Sequence, residues 1–178
     1  MEKVVFLDRD GVINIEKNYL YKIEDFEFID GVFKALSYLQ NLGYKLIIIT
    51  NQSGIGRGYY TKEQYDELTI WMVKQFKLNH IEISSVFCCP HSPTDDCECR
   101  KPKIGMITQA TEIIDIDYKN SWLIGDKESD IQAGLNAKVG TNILFSNKFI
   151  DNNFKNNEDT ILIKNFSDIL VYIKKKKL

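Results

Sequence analysis

The sequence lacks any apolar run near the ~18 residues a helix needs to cross a bilayer. Its start, Met1-Glu2-Lys3 before Val4-Val5-Phe6-Leu7, is too short and too soon acidic for a signal peptide. A cytoplasmic protein with no membrane partner is therefore expected. Charge of one sign is also missing: the net charge is -2 over 178 residues, which gives no global attraction to nucleic acid or an anionic surface. The one basic block, Lys174 to Lys177, follows an apolar stretch that reads as a helix, where lysines complement the C-terminal dipole. No internal repeat and no linker stand out, so residues 1–178 read as a single domain, expected to be a monomer. Cysteine is absent everywhere except Cys88, Cys89, Cys97 and Cys99. In a reducing compartment such crowding favours a metal site over disulfides.

What is present alternates. Val4–Leu7 is a continuous apolar run, as expected of a strand buried on both faces. Phe33, Leu36, Leu39 and Leu42 recur at helical spacing before Gly43, and Lys45–Thr50 is a second buried strand. Thr61 and Gln64 suit a capping box for a helix carrying Tyr65, Leu68, Met72 and Phe76. Further strands are predicted at Ser85–Cys88, Trp122–Ile124, Thr141–Phe145 and Ile161–Ile163. Helices are predicted at Ile104–Ile114, from a Ser129/Gln132 capping box to Ala137, and at Ser167–Lys175, with a polar surface loop over Phe149–Asp159. The pattern predicts an α/β fold: a Rossmann-like parallel sheet with helices on both faces. Ligands of such folds bind beyond the carboxyl ends of the strands.

Four of those ends carry chemistry. The first reads Asp8-Arg9-Asp10-Gly11. Two carboxylates that close raise one another's pKa unless a cation neutralises them, and magnesium prefers carboxylate and phosphate oxygens. The second reads Thr50-Asn51-Gln52-Ser53-Gly54, a hydroxyl and free amides able to hold phosphoryl oxygens. Arg100-Lys101-Pro102 precedes a helix and offers two cations. Gly125-Asp126-Lys127 ends another strand and places a third acid for the metal. Asp130, after Ser129, suits the positive end of a helix and is read as structural or as supporting the site from behind. Each signal alone is equally an ordinary turn. Together they fall on four junctions of one sheet, in an order that completes a phosphoryl-transfer site.

The cysteines supply a second constellation. Cys89-x-His91, five residues, then Cys97-x-Cys99 offers four ligands of the kind that hold tetrahedral zinc. With all four positions filled by protein the zinc is structural, and the loop 89–99 it fixes runs directly into Arg100 and Lys101. Cys88 is expected in the core, and His80 is given no role.

This set resembles the haloacid dehalogenase superfamily of phosphatases over about Val4 to Phe145. Within it, Phe26 to Gly31, Thr50 to Gly58, Cys89-Pro90-His91 and Cys97 to Pro102 resemble the heptose-bisphosphate phosphatases that serve bacterial surface glycans. Short zinc loops also occur in the related histidinol-phosphate phosphatases. The resemblance implies Asp8 as nucleophile, Asp10 as general acid and then base, and magnesium on Asp8, Asp10 and Asp126, with Asp10 giving its backbone carbonyl. It implies Thr50 and Lys101 on the phosphoryl group. It places Glu16, Lys17, Asn18, Tyr19, Asn51, Gln52, Ser53, Arg100 and Lys127 on a phosphorylated sugar substrate. Many relatives carry an inserted cap. Here there is room only for loops, so an open, capless site is expected. A binding module that keeps the fold without turnover is the non-enzyme alternative.

Overall fold

In the computed structural model, which describes residues 1–146 and 160–176, six strands form one sheet. They are β1 Val4–Leu7, β2 Lys45–Asn51, β3 Ile83–Cys89, β4 Trp122–Gly125, β5 Thr141–Phe145 and β6 Thr160–Ile163. Their spatial order is β3-β2-β1-β4-β5-β6, and every pairing is parallel. The chain winds outward from β1 to β3, returns to pair β4 beside β1, then winds outward the other way. The order therefore reverses between β1 and β4, where the helices diverge to opposite sides and leave a crevice at the carboxyl ends.

The strands read as apolar runs because they are covered twice. Val5 and Leu7 point with Leu46, Ile48 and Ile124 into one core. That core is closed by α1 (Val32–Asn41), α3 (Lys62–Leu78) and α6 (Phe166–Lys176). Val4, Phe6, Ile47, Ile49 and Leu123 face a second core under α4 (Gly105–Thr111) and α5 (Glu128–Asn136). Burying one such aliphatic side chain is worth roughly 1.5–3 kcal/mol. The two-residue alternation along β1 thus anchors the strand that ends in the acidic motif from both sides.

Local signals explain most boundaries. At α3 the Thr61 Oγ accepts from the Gln64 amide and the Gln64 side chain accepts from the Thr61 amide, at 3.3 and 2.9 Å, so the capping box forms as written. The box expected at Ser129 and Gln132 does not form. α5 begins at Glu128, with Asp130 Oδ2 accepting from the Lys127 amide at 3.0 Å. Asp130, not Ser129, satisfies the helix start. The helix after Lys101 is shorter than Ile104–Ile114, and the third strand is longer than Ser85–Cys88 at both ends. Cys88 is half-buried rather than in the core. The predicted Phe149–Asp159 loop and the side chains of Lys174 to Lys177 lie outside the described residues. Among the described residues, only a loop with a short 3-10 turn at Ile23–Asp25 joins β1 to α1, and only α2 (Ser53–Gly56) and α3 join β2 to β3. Neither connection builds a cap. No described helix is long and apolar enough to cross a membrane.

Candidate active site

The carboxyl ends of β1, β2 and β4 open onto a cleft of about 320 Å³. Asp8 leaves β1 with its amide donating to Ile124 O at 2.9 Å, which locks it beside the end of β4. Gly11 then turns at φ +89, and a Cβ there would fall 2.3 Å from Asp126 Oδ2. The acidic loop and Asp126 can approach only because that side chain is missing.

Asp8, Asp126 and Asp130 offer carboxylate oxygens that all lie within 4.8 Å of one another. Lys101 is inserted among them, 4% exposed. Its Nζ donates to Asp8 Oδ1 at 3.0 Å, to Asp130 Oδ1 at 2.7 Å and to Ile49 O at 2.8 Å. Three carboxylates against one buried ammonium leave an excess of two negative charges. Burial pushes Asp8 up to about 6, with Lys101 opposing and Asp130 and Asp10 adding to the rise. Burial and then the Asp8 charge push Asp126 up to about 7. Burial alone would lower Lys101, but the Asp130 and Asp8 carboxylates outweigh it and hold it cationic. Asp126 Oδ1 is buried with no hydrogen-bond partner. The Lys127 ammonium pairs with it at 3.8 Å, too far for a hydrogen bond. A buried oxygen left in that state within an over-negative cluster of hard oxygen donors fits a divalent cation such as magnesium.

Asp10 is built differently. Burial would raise it, yet the Arg9 charge and its hydrogen bonds bring it below the usual carboxylate range. Arg9 donates through Nε at 3.1 Å and Nη2 at 2.9 Å, Asn14 Nδ2 at 3.0 Å and Gln52 Nε2 at 2.8 Å. Asp10 is thus an anion solvated by protein groups in place of water, beside Asp8, whose surroundings do the opposite.

The structure gathers Asp8, Asp10, Glu16, Asn18, Tyr19, Thr50, Asn51, Gln52, Ser53, Arg100, Lys101 and Lys127 around the cleft. Lys17 is not among its walls. Its ammonium turns to Asp25 O at 2.8 Å and to Glu27 at 3.5 Å. Asn51 also has a second use: its side chain brackets the Lys101 backbone, accepting from N at 3.0 Å and donating to O at 3.2 Å. Lys127 ties the mouth of the cleft to the 16–19 loop through Glu16 at 3.1 Å. Asp130, read as supporting from behind, belongs to the acidic cluster itself. Asp126 follows the end of β4 and Asp130 lies in the first turn of α5, so it is the tight strand-to-helix turn between them that brings the two together. Arg9 and Tyr60 carried no sequence signal beyond composition. Arg9 is 1% exposed and Tyr60 lines the cleft.

Beside the cleft, the donor atoms of Cys89, His91, Cys97 and Cys99 also lie within 4.8 Å of one another. Cys89 Sγ is 3.7 Å from Cys97 Sγ and 3.6 Å from His91 Nδ1, and His91 Nδ1 is 3.2 Å from Cys99 Sγ. A zinc tetrahedron with bonds of roughly 2.3 Å to sulfur and 2.05 Å to nitrogen has edges of about 3.8 and 3.6 Å. Two of the three separations match it closely, and the residues fit a closed four-ligand site.

A family model described as polynucleotide kinase 3 phosphatase matches residues 3–168. The chain belongs to this phosphatase family, within the haloacid dehalogenase superfamily. A Campylobacter jejuni protein named D-glycero-alpha-D-manno-heptose-1,7-bisphosphate 7-phosphatase is 48% identical over 176 residues, 99% of this chain and 98% of that one. A Helicobacter pylori protein bearing the corresponding beta name is 46% identical over 173 residues, 97% and 98% of the two chains. The crystal structure of a Bordetella protein, titled D,D-heptose 1.7-bisphosphate phosphatase from B. bronchiseptica complexed with magnesium and phosphate, superposes with a TM-score of 0.82. It is 23% identical and covers 98% of this chain and 99% of its own. At that identity the likeness shows the fold, the parallel sheet of this superfamily.

Proposed function

We propose that this chain is a magnesium-dependent phosphomonoesterase that removes the 7-phosphate of D-glycero-D-manno-heptose 1,7-bisphosphate through a phospho-aspartate on Asp8. The carrying observation is the convergence of Asp8, Asp126 and Asp130, with Lys101 between Asp8 and Asp130, at the base of a cleft lined by Asp8, Lys101 and Asp130. It occurs in a chain that shares almost its full length with proteins named for that reaction. Residues 1–178 act in it as one phosphatase unit.

Asp8 attacks phosphorus in line and the bond to the leaving sugar oxygen breaks, with a proton supplied from Asp10. Asp10 then removes a proton from water, which attacks the aspartyl-phosphate and regenerates Asp8. Splitting one displacement into two is the gain of covalent catalysis. Lys101 and the Thr50 hydroxyl offset the charge of the transferring group. Bound on Asp8 and Asp126, with the Asp10 carbonyl, magnesium supplies charge neutralisation for phosphate and nucleophile. The donors around Asp10 favour its charged form, which suits the water-activating half. For the first half Asp10 must carry a proton, so substrate entry has to loosen that network.

Glu16, Asn18, Tyr19, Gln52, Ser53, Arg100 and Lys127 shape the sugar side of the cleft. Zinc on Cys89, His91, Cys97 and Cys99 holds the loop that delivers Arg100 and Lys101. An enzyme that acts on a small phosphorylated metabolite fits the cytoplasm. The relatives' names divide between the two anomers. The test is therefore a phosphate-release panel with magnesium, containing both anomers of the heptose bisphosphate, histidinol phosphate and simple sugar phosphates. A heptose bisphosphate is expected to be turned over with the highest kcat/KM. Preference for histidinol phosphate would overturn the substrate, and no turnover of any member would overturn the activity.

A further inference from the structure

We infer that Tyr60 is a positioning residue for phosphoryl transfer: its hydroxyl sets the direction of the hydrogen bonds that run through Gln52 to Asp10 and Thr50. The inference rests on the phosphatase reading above and adds a residue that the chemistry itself does not call for.

The direction follows from donor and acceptor inventory. Gln52 meets three polar groups with one amide. Nε2 lies 2.8 Å from Asp10 Oδ2 and 2.8 Å from Thr50 Oγ1, and Oε1 lies 2.5 Å from the Tyr60 hydroxyl. Asp10 rests ionised and its carboxylate then can only accept, so the amide must turn its N–H side toward Asp10. Its carbonyl then faces Tyr60, which must donate. Reversing the amide would set oxygen against the carboxylate. Both hydrogens of Nε2 are thereby used, one on Asp10 and one on Thr50. Thr50, having accepted, keeps its own proton to donate, and Thr50 lines the cleft. Tyr60 thus fixes a one-way chain that ends on the hydroxyl proposed to meet the phosphoryl group. Burial first of all keeps the Tyr60 phenol protonated, pushed up to about 12, so the donor is present throughout the working range.

The ring is held for this task. Tyr60 is 5% exposed. A Cβ on Gly54 would fall 2.1 Å from Tyr60 Cε1, so the ring lies directly on the backbone of the Thr50–Gly54 segment. Tyr21 stacks on it with centroids 5.3 Å apart and planes at 17°. The preceding residue, Leu20, accepts through its carbonyl from Arg9 Nη2 at 2.9 Å. The same guanidinium holds Asp10. Tyr60 is therefore fixed from the β1 side and acts on the β2 side.

Tyr60→Phe removes the hydroxyl and keeps the ring. One hydrogen bond that orders others predicts a kcat roughly five- to tenfold lower on heptose bisphosphate, with KM within about twofold. Gln52→Leu removes the link, and in that background Tyr60→Phe should lower kcat no further. Rates are taken per folded molecule from thermal melts, with Tyr60→Leu marking what loss of ring packing does to the midpoint. Unchanged kcat in Tyr60→Phe would overturn the inference. So would a Tyr60→Phe loss that persists undiminished in Gln52→Leu, or a midpoint that falls as far as in Tyr60→Leu. In each of these cases the wild type still releases phosphate and the functional reading stands. A wild type that releases none removes both.

Discussion

Two clusters of metal-ligand residues stand side by side at the carboxyl end of the sheet, and they are built on opposite principles. The acidic cluster offers hard oxygens, carries more negative charge than its own buried lysine offsets, leaves Asp126 Oδ1 without a hydrogen bond and opens onto the cleft. The cysteine and histidine cluster offers soft donors, spaced to fill a tetrahedron with nothing left over. An unfinished set of ligands reserves room for substrate; a finished one holds a loop still. The two meet in sequence at Cys99-Arg100-Lys101, where the end of the closed cluster becomes the cation of the open one.

The sharpest break in that comparison is Asp8→Asn. Loss of the nucleophile should lower phosphate release by about 10⁴-fold or more while the melting midpoint stays within a few degrees. An Asp8→Asn protein that retained a tenth of wild-type activity would mean that the open cluster is not the reacting one. Next is Lys101→Met, expected to lower kcat by roughly 10²–10³-fold, since it removes the charge that meets the phosphoryl group. It should also destabilise the protein at neutral pH, because Asp8 and Asp130 lose their buried partner. Equal kcat in Lys101→Met and wild type would return Lys101 to a purely structural ion pair.

Cys97→Ser probes the other side. It should lower the melting midpoint by about 5–10 °C, the size expected for losing a few kcal/mol in a chain of this length, and leave the magnesium concentration for half-activity within about threefold. Protein purified under reducing conditions should carry one zinc per chain. Its absence from metal analysis would remove the closed cluster as a metal site.

The smallest effect is a pH dependence. Asp8 and Asp126 have folded pKa values raised to about 6 and about 7. Their contribution to stability is therefore complete below the ordinary carboxylate range and is lost as pH rises through 6 to 7. Asp10, which is lowered, contributes in full and without further change above the ordinary carboxylate range. Without magnesium the melting midpoint should fall by a few degrees between pH 5.5 and 8, and added magnesium should raise it more at pH 8 than at pH 5.5. Equal shifts at both pH values would show that protons and the cation do not compete for these carboxylates.

The strands and most helices were legible because burial on two faces leaves uninterrupted apolar runs such as Leu46-Ile47-Ile48-Ile49, and because Thr61 and Gln64 cap as their spacing dictates. The paired acids and Asp126 stood out because they follow strand ends, Thr50 because it closes an apolar strand, and Lys101 because it sits between the cysteine cluster and a helix. Asp130 was assigned away from the cluster because a carboxylate in a first helical turn has a local explanation. Here it serves both ends, capping α5 through Oδ2 and holding Lys101 through Oδ1. Tyr60 and Arg9 were not legible at all. Tyr60 acts through an amide and a carboxylate brought together across 42 positions of sequence, a distance no spacing rule spans. Arg9, although next to Asp10 in the chain, shows its use only once burial folds its guanidinium back onto that carboxylate.

The most direct test is to follow the phosphoryl group itself. Enzyme in excess over heptose bisphosphate labelled in the 7-phosphate is quenched in acid during a single turnover with magnesium, and the label is mapped by peptide. The account predicts transient label on the peptide containing Asp8, none in Asp8→Asn, and decay of that label as phosphate appears. Release of phosphate with label on another residue, or on no residue at any quench time, would contradict it.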